Sequence, residues 1–458
     1  MALLRRPELR AELRANLRLA LPIIATQFTF MGMGTVDTLM AGRLGGDALA
    51  AVAVGSNVWF LLFTVFSGVL MACSPIVAQR IGAGRDAAET GRFVRGTAAF
   101  ALGLGLLWTL TMLLAAAPIV RLLDLGSTVS AYATEYMRAI AWGAVPFCLC
   151  FVARNVAEGH GLTRVALAAG IVGFCVNAVL DYVLMYGKLG LPALGPAGCA
   201  WATVCSGLTM AAIYAALYRQ LAPLRGLQVF RGGFPQLRGE AAEVLRLGLP
   251  IAAIVAAESW MFNICALLMA RFGAGAVAAH QIAINVAAMA FMVPLSIGFA
   301  TTVRVGLAAG AGDRSSARLR GQAGMLLGVG FSVLSASAMA LFAASIIALY
   351  TADDRVAAIA VPFLYLAALF QIFDCVQATA NGALRGLKDT RVPMLITVGA
   401  YWIVGMPVAV WLSFDTSLGP LGIWWAFIVA LALAAAGLAW RFSRRTRLDG
   451  PLRAARVQ

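Results

Sequence analysis

Leu19-Ala20-Leu21-Pro22-Ile23 opens one long apolar run near the start of the chain, and Leu247-Gly248-Leu249-Pro250-Ile251 opens another 228 residues later. Two further pairs keep nearly the same offset. Gly161-Leu162-Thr163-Arg164 is echoed by Gly386-Leu387 and, after a two-residue insertion, Thr390-Arg391. Leu194-Gly195-Pro196-Ala197-Gly198 with Ala202 is echoed by Leu418-Gly419-Pro420-Leu421-Gly422 with Ala426. An offset that drifts only from 228 to 227 to 224 marks an internal duplication.

The duplicated unit is read from its apolar runs. The chain of 458 residues is 62% hydrophobic and only 12% charged, about half the charge of an ordinary soluble domain. Twelve apolar stretches are long enough to cross a hydrocarbon core of about 30 Å as helices, at 15–42, 48–73, 93–117, 130–153, 165–187, 196–218, 244–270, 277–303, 321–350, 357–382, 392–414 and 420–440. Lipid supplies no hydrogen-bond partners, so a spanning segment is a helix or part of a closed barrel, and these unbroken runs lack the alternation of barrel strands. The expected fold is an all-α polytopic membrane protein with twelve transmembrane helices. An even number of spans per repeat returns the second copy to the same side, so the two six-helix repeats are parallel, with an axis along the membrane normal. The expected organisation is an N-terminal lobe over 1–218, a cytoplasmic linker over 219–243 read as a solvated tether, and a C-terminal lobe over 244–458 with a basic tail. Two lobes so joined enclose a central cleft.

A net charge of +15 raises the question of nucleic acid. The positions of the charges answer it: with a cytoplasmic N-terminus, 29 of the 35 Lys and Arg residues fall in inner segments, which is the positive-inside rule obeyed throughout. The partners expected are therefore the lipid bilayer of the cell inner (cytoplasmic) membrane and no nucleic acid. The N-terminus, with Arg5, Arg6, Glu8, Arg10 and Glu12 ahead of the first span, lacks the pattern of a removable signal peptide, so that span is expected to stay as an anchor. The eight cysteines form no CxxC pair and read as small core residues. Neither Lys188 nor Lys388 stands in a P-loop, so ATP is not the expected energy source. No Gly-x-Ser-x-Gly elbow or metal-ligand spacing is present, and neither an enzyme nor a resident cofactor is expected.

A carboxylate at the bilayer centre costs about 2.5–3.5 kcal/mol even on lenient insertion scales, so an acid inside a span is a functional candidate. Four qualify: Asp37, Asp181, Glu258 and Asp374. At about 1.5 Å per residue, Asp37 and Asp181 lie at one depth, Thr203 reaches that depth from the opposite direction, and Asn177 is one turn from Asp181 on the same helical face. Asp37, Asn177, Asp181 and Thr203 are thus the expected ion-coupling group of the first lobe, where two repelling carboxylates are ready to take up a proton or a hard cation. Glu258 and Asp374 are the expected group of the second lobe. Phe60, Met261, Phe262, Gln281 and Asn285 are candidate cleft residues, with adaptable apolar and cation–π contacts for an organic cation. His280 reads as a packing residue.

The stretches Met31–Arg43 around Asp37, Ser67–Gly84 with Pro75 and Gln79, and Tyr186–Gly198, together with Pro250, Glu258, His280–Asn285, Pro294–Gly298 and Gly382–Thr390, resemble the multidrug and toxic compound extrusion (MATE) transporters of the NorM-type bacterial branch. That resemblance covers essentially the full chain. It implies a V-shaped two-lobed antiporter that expels small cationic amphipathic compounds in exchange for Na⁺ or H⁺, working as a monomer. It also implies that the two acidic groups are the family's ion sites. Phe370 stands where some relatives carry a tyrosine, one turn before Asp374, and has no oxygen for Na⁺. The competing readings are a flippase of lipid-linked precursors, a metabolite exporter, a major-facilitator carrier and a membrane scaffold. The acidic intramembrane charge disfavours an anionic lipid, the 80–95 segment does not resemble the major-facilitator loop, and a scaffold leaves the buried acids unexplained.

The charge asymmetry makes a topological prediction: a reporter fused after Gln458 is active only in the cytoplasm and one inserted near Asp353 only outside it. The opposite result at either point overturns the twelve-span reading.

Overall fold

The computed structural model describes residues 7–231 and 237–447, and every regular element among them is helical. Arg5, Arg6, residues 232–236 of the linker and the tail beyond Arg447 lie outside the described residues. The helices, numbered here by span, are α1 (Pro7–Leu44), α2 (Gly46–Gly82), α3 (Ala87–Leu123), α4 (Ser127–Ala141 and Ala144–Gly159), α5 (Thr163–Tyr186) and α6 (Pro196–Gln220). The second half follows with α7 (Leu237–Met269), α8 (Ala274–Gly310), α9 (Arg314–Leu341), α10 (Asp354–Gly386), α11 (Arg391–Phe414) and α12 (Leu421–Arg445). All but α4 are long and apolar enough to span by themselves, and α4 does so as a pair of helices bent by 45°.

The bend in α4 has a local cause and a local remedy. Pro146 sits in the first turn of the second segment, where its missing N–H is tolerated, and cannot continue the first. The carbonyl of Ala141, freed at the break, accepts a hydrogen bond from the Thr109 hydroxyl of α3 at 2.9 Å, so this oxygen is not left for lipid, which has no donor to offer it. The helix then runs on to Gly159, beyond residue 153 where the hydropathy reading ends it. It carries Arg154 and Glu158 as a buried pair 2.7 Å apart, and mutual neutralisation is what lets two charges stay inside.

Two compact units emerge. One contains Pro22–Val77 and Arg85–Ala252; the other contains Met1–Leu21, Ala78–Gly84 and Ala253–Gln458. The first part of the linker is not a solvated tether. Leu224 and Leu227 are buried, and Arg95 of α3 donates to the carbonyls of Gln228 at 3.1 Å and Arg231 at 3.3 Å.

Without a hydrophobic drive between helices in lipid, close packing depends on small residues and interhelical hydrogen bonds, and here the repeated motifs supply both. In Leu-Gly-Pro-x-Gly the first glycine takes positive φ, 55° at Gly195 and 53° at Gly419. The second lets α6 and α12 approach a neighbour's backbone: a Cβ on Gly198 meets Leu184 at 2.7 Å and one on Gly422 meets Leu412 at 2.5 Å. In the second unit α8 crosses α10 glycine on glycine, Gly298 against Ala378 and Gly382 against Gly298, with the Thr302 hydroxyl bonded to the Gly382 carbonyl at 2.8 Å. The end of α2 crosses α8 in the same unit with the symmetry of the duplication. Gly82 faces the Leu307 backbone, and Gly310 faces the backbone of Gln79. Each partner lies 228 residues from its counterpart, so the crossing is self-complementary like an isologous interface.

Gly82→Ala and Gly310→Ala, adding a methyl to the same crossing from its two sides, are each expected to cost about 1–3 kcal/mol by overpacking. Gly330→Ala, where a Cβ meets nothing within 4 Å, leaves the Tm of the detergent-solubilised protein unchanged. Unequal losses at Gly82 and Gly310 contradict the symmetric crossing.

Candidate functional site

Three helices of the first unit place the expected polar group. The Tyr186 hydroxyl at the end of α5 donates to the Met40 carbonyl of α1 at 2.8 Å, and the Ser206 hydroxyl of α6 donates to the Gly173 carbonyl of α5 at 2.7 Å. These bonds lock the helices in register. Asp37 of α1 and Asp181 of α5 are brought together with Cys199 of α6, one ligand atom of each lying within 4.8 Å of the others. Asn177, one turn from Asp181, and Thr203, one turn from Cys199, turn their polar ends toward Asp37. The structure thus brings the four expected residues together.

Satisfaction, however, is missing. Asp181 and Asn177 are 0% exposed, yet both carboxylate oxygens of Asp181, both ends of the Asn177 amide and Oδ1 of Asp37 have no hydrogen-bond partner. Buried polar atoms are overwhelmingly paired in folded proteins, and orphans concentrated in one place mark room for a guest that carries the missing interactions. The donor set, carboxylate, amide and hydroxyl oxygens, suits a proton or a hard cation.

The second unit holds a differently built group. Gln377, three residues after Asp374 on α10, donates from Nε2 to Glu258 of α7 at 3.3 Å and to the Tyr401 hydroxyl of α11 at 3.1 Å. Tyr401 lies on a π-helical segment, Gly399–Gly405, a type of local irregularity frequent at functional positions. Asp374 is 3% exposed and its Oδ1 is unpartnered. The two acids, Glu258 and Asp374, are within electrostatic reach of each other, and the buried Arg385 is within reach of Glu258. Phe370 packs into an aromatic cluster with Phe262 (5.9 Å), Trp424 and Phe427 (6.3 Å each). The phenolic oxygen in this neighbourhood comes instead from Tyr401.

Of the candidate cleft residues, Phe60 belongs to the first unit and the other four to the second. Phe60, in the first unit, is 50% exposed; Met261 is 2% exposed and lines a narrow crevice with Glu258, Phe262, Tyr401 and Phe427. Gln281 on α8 is exposed and donates to Asn285 at 3.3 Å. His280 is buried and packs edge-on against Trp424 at 5.5 Å.

Sequence reasoning missed Cys199, Gln377, Tyr401 and Arg385. Two carried a signal: Cys199 is one turn from Thr203, and Gln377 one turn from Asp374, on the same faces. It also missed the pair Arg154–Glu158, whose guanidinium donates to Gln27 Oε1 of α1 at 2.9 Å and lies 5.6 Å from the Phe30 ring, pinning the middle of α1 to α4.

A twelve-span helical protein built by parallel duplication, with buried acids in each unit, has the form of a secondary transporter. The family model described as MatE matches twice, over residues 22–183 and 250–411, in register with the 228-residue repeat. The multidrug resistance protein PmpM of Pseudomonas aeruginosa is 39% identical over 96% of this chain and 93% of its own. The multidrug resistance protein MdtK of Edwardsiella ictaluri is 36% identical over 94% and 95%. Among solved structures, an outward-facing multidrug resistance MATE family transporter superposes with a TM-score of 0.84 at 21% identity, covering 94% of this chain and 96% of that one. The eukaryotic MATE transporter AtDTX14 gives 0.83 at 20% identity over 96% and 99%. The chain belongs to the MATE family of membrane transporters and is not an enzyme.

Because its carboxyl group has no partner, Asp181→Asn is expected to raise the Tm of protein purified without added cations, as the cost of burying one carboxyl beside another is removed and the shape stays. A lower Tm identifies Asp181 as a packing residue instead.

Proposed function

We propose that this transporter is a multidrug exporter that exchanges small cationic amphipathic compounds for Na⁺ or H⁺ by alternating access. It works as a monomer in the cytoplasmic membrane with both termini inside, and residues 1–218 and 244–458 are its two lobes, joined by 219–243. The observation that carries this reading is the pair of buried acidic groups, one in each unit, whose carboxylate oxygens include several without partners. Carboxylates are expensive in a membrane, and isosteric amides serve packing more cheaply. The names of the relatives as multidrug resistance proteins support the same substrate class.

Each group has a role in the exchange. Asp37, Asn177, Asp181 and Thr203 take up the coupling ion in the first lobe; Glu258 and Asp374, with Gln377 and Tyr401, do so in the second. Neutralising a carboxylate weakens its hold on an organic cation, so ion entry and substrate release become linked, and coupling free energies of such linked sites are typically about 1–3 kcal/mol. Phe60, Met261, Phe262, Gln281 and Asn285 supply the apolar, π and amide contacts to the substrate. The acidic balance favours cations over the anionic precursor of a flippase, since Arg154 is neutralised by Glu158.

Asp37→Asn and Asp374→Asn are expected to fold and to abolish gradient-driven ethidium efflux in proteoliposomes of equal protein density. Imposing Na⁺ and pH gradients separately on the wild type identifies the ion. Wild-type rates of ion-driven efflux in both variants would refute the assignment.

A further inference from the structure

Cys199 is chemically out of place in the first unit's polar group. A hard cation is served by oxygens, which Asp37, Asp181, Asn177 and Thr203 already offer; a thiol adds little to it. Yet the Cys199 sulfur, 0% exposed, lies within 4.8 Å of a carboxylate oxygen from each of Asp37 and Asp181, and those two oxygens are also within 4.8 Å of each other. Among the described residues this is the group of His, Cys, Asp and Glu side chains close enough to share one ion. A tetrahedral ion bound at ordinary metal–sulfur and metal–oxygen lengths holds such atoms roughly 3.6 Å apart, so small side-chain rotations bring all three onto it. The second observation is the unsatisfied surroundings: Asp181 with two orphaned oxygens and Asn177 with an orphaned amide, both fully buried and aimed into the group.

Ligand softness then selects the guest. Two carboxylates and a thiolate favour a borderline or soft divalent ion over Na⁺, because sulfur binds zinc-like metals strongly and alkali ions hardly at all. Each ligand comes from a different helix, so the three protein ligands converge only when α1, α5 and α6 are packed as described.

We propose that Asp37, Asp181 and Cys199 form a binding site for a thiophilic divalent cation of the zinc and cadmium class, which competes there with the coupling ion. On binding, the Cys199 S–H bond breaks, its proton leaves to water and the electron pair forms the sulfur–metal bond. The metal keeps its oxidation state, and no oxidant or reductant takes part. Only the competition rests on the ion-coupling reading above; the site itself does not.

Cd²⁺ is the probe, titrated at neutral pH into the full chain in detergent and followed by the cadmium–thiolate charge-transfer absorption and by proton release. The wild type is expected to bind one Cd²⁺ with a thiolate band. Cys199→Ala and the near-isosteric Cys199→Ser both lose the band. Each binds Cd²⁺ more than about tenfold more weakly, at least the loss that follows removal of an outer-sphere partner. Asp181→Asn keeps the thiol and also weakens binding. An undiminished band in both Cys199 variants, placing the metal on another cysteine such as the exposed Cys175, overturns the proposal, as does the absence of a band in the wild type. Efflux by Asp37→Asn, measured without Cd²⁺, separates the two readings. Lost efflux with no wild-type cadmium band refutes the metal site alone; a cadmium band with normal Asp37→Asn efflux refutes the coupling role and leaves the metal site standing.

Discussion

Inside a bilayer no water completes an unfinished hydrogen bond, and every other feature of this protein follows from that deficit. The backbone answers it by remaining helical, and where α4 breaks, a hydroxyl on α3 takes the freed carbonyl. The charged side chains answer it by pairing, as Arg154 does with Glu158 and Gln27. The intramembrane acids answer it only in part. Their unpartnered oxygens leave room for a guest, which is what the proposed exchange requires.

Holding such a site open requires rigid walls, and lipid provides no hydrophobic pressure to make them. Glycine supplies the alternative. At two pairs of corresponding positions in the two halves a glycine lets backbone touch backbone: Gly198 and Gly422 between successive helices, Gly82 and Gly310 at the crossing of α2 and α8. Contacts this close tolerate no added methyl, so the helices cannot slide, and the polar side chains they carry keep their depth. In the first unit the Tyr186 and Ser206 hydrogen bonds add register along the helices. The result is a set of oxygens and one sulfur fixed at a common level.

The two halves have diverged at their sites while keeping this frame. The first group uses two carboxylates a few ångströms apart with an amide, a hydroxyl and a thiol. The second threads Glu258 through Gln377 to Tyr401 on a π-helical segment, with Arg385 close by. Duplication copied the scaffold, and the chemistry was then free to differ.

The number of spans, their parallel duplication and the four intramembrane acids were legible from the chain alone, because hydrocarbon thickness sets span length and because a charge in an apolar run stands out by composition. Common depth along straight helices was enough to gather Asp37, Asn177, Asp181 and Thr203. Composition is silent, however, on which face of a helix meets which neighbour. Cys199 and Met261 look alike as apolar residues in apolar runs, and only the packing put one against two carboxylates and the other in a crevice beside Glu258. Tyr401 was invisible for a further reason: a π-helical segment shifts the angular position of what it carries, so helical spacing cannot place it. Tertiary structure decided the partners because partners come from different helices, and their distances depend on glycine contacts and single hydrogen bonds that no one-dimensional pattern encodes.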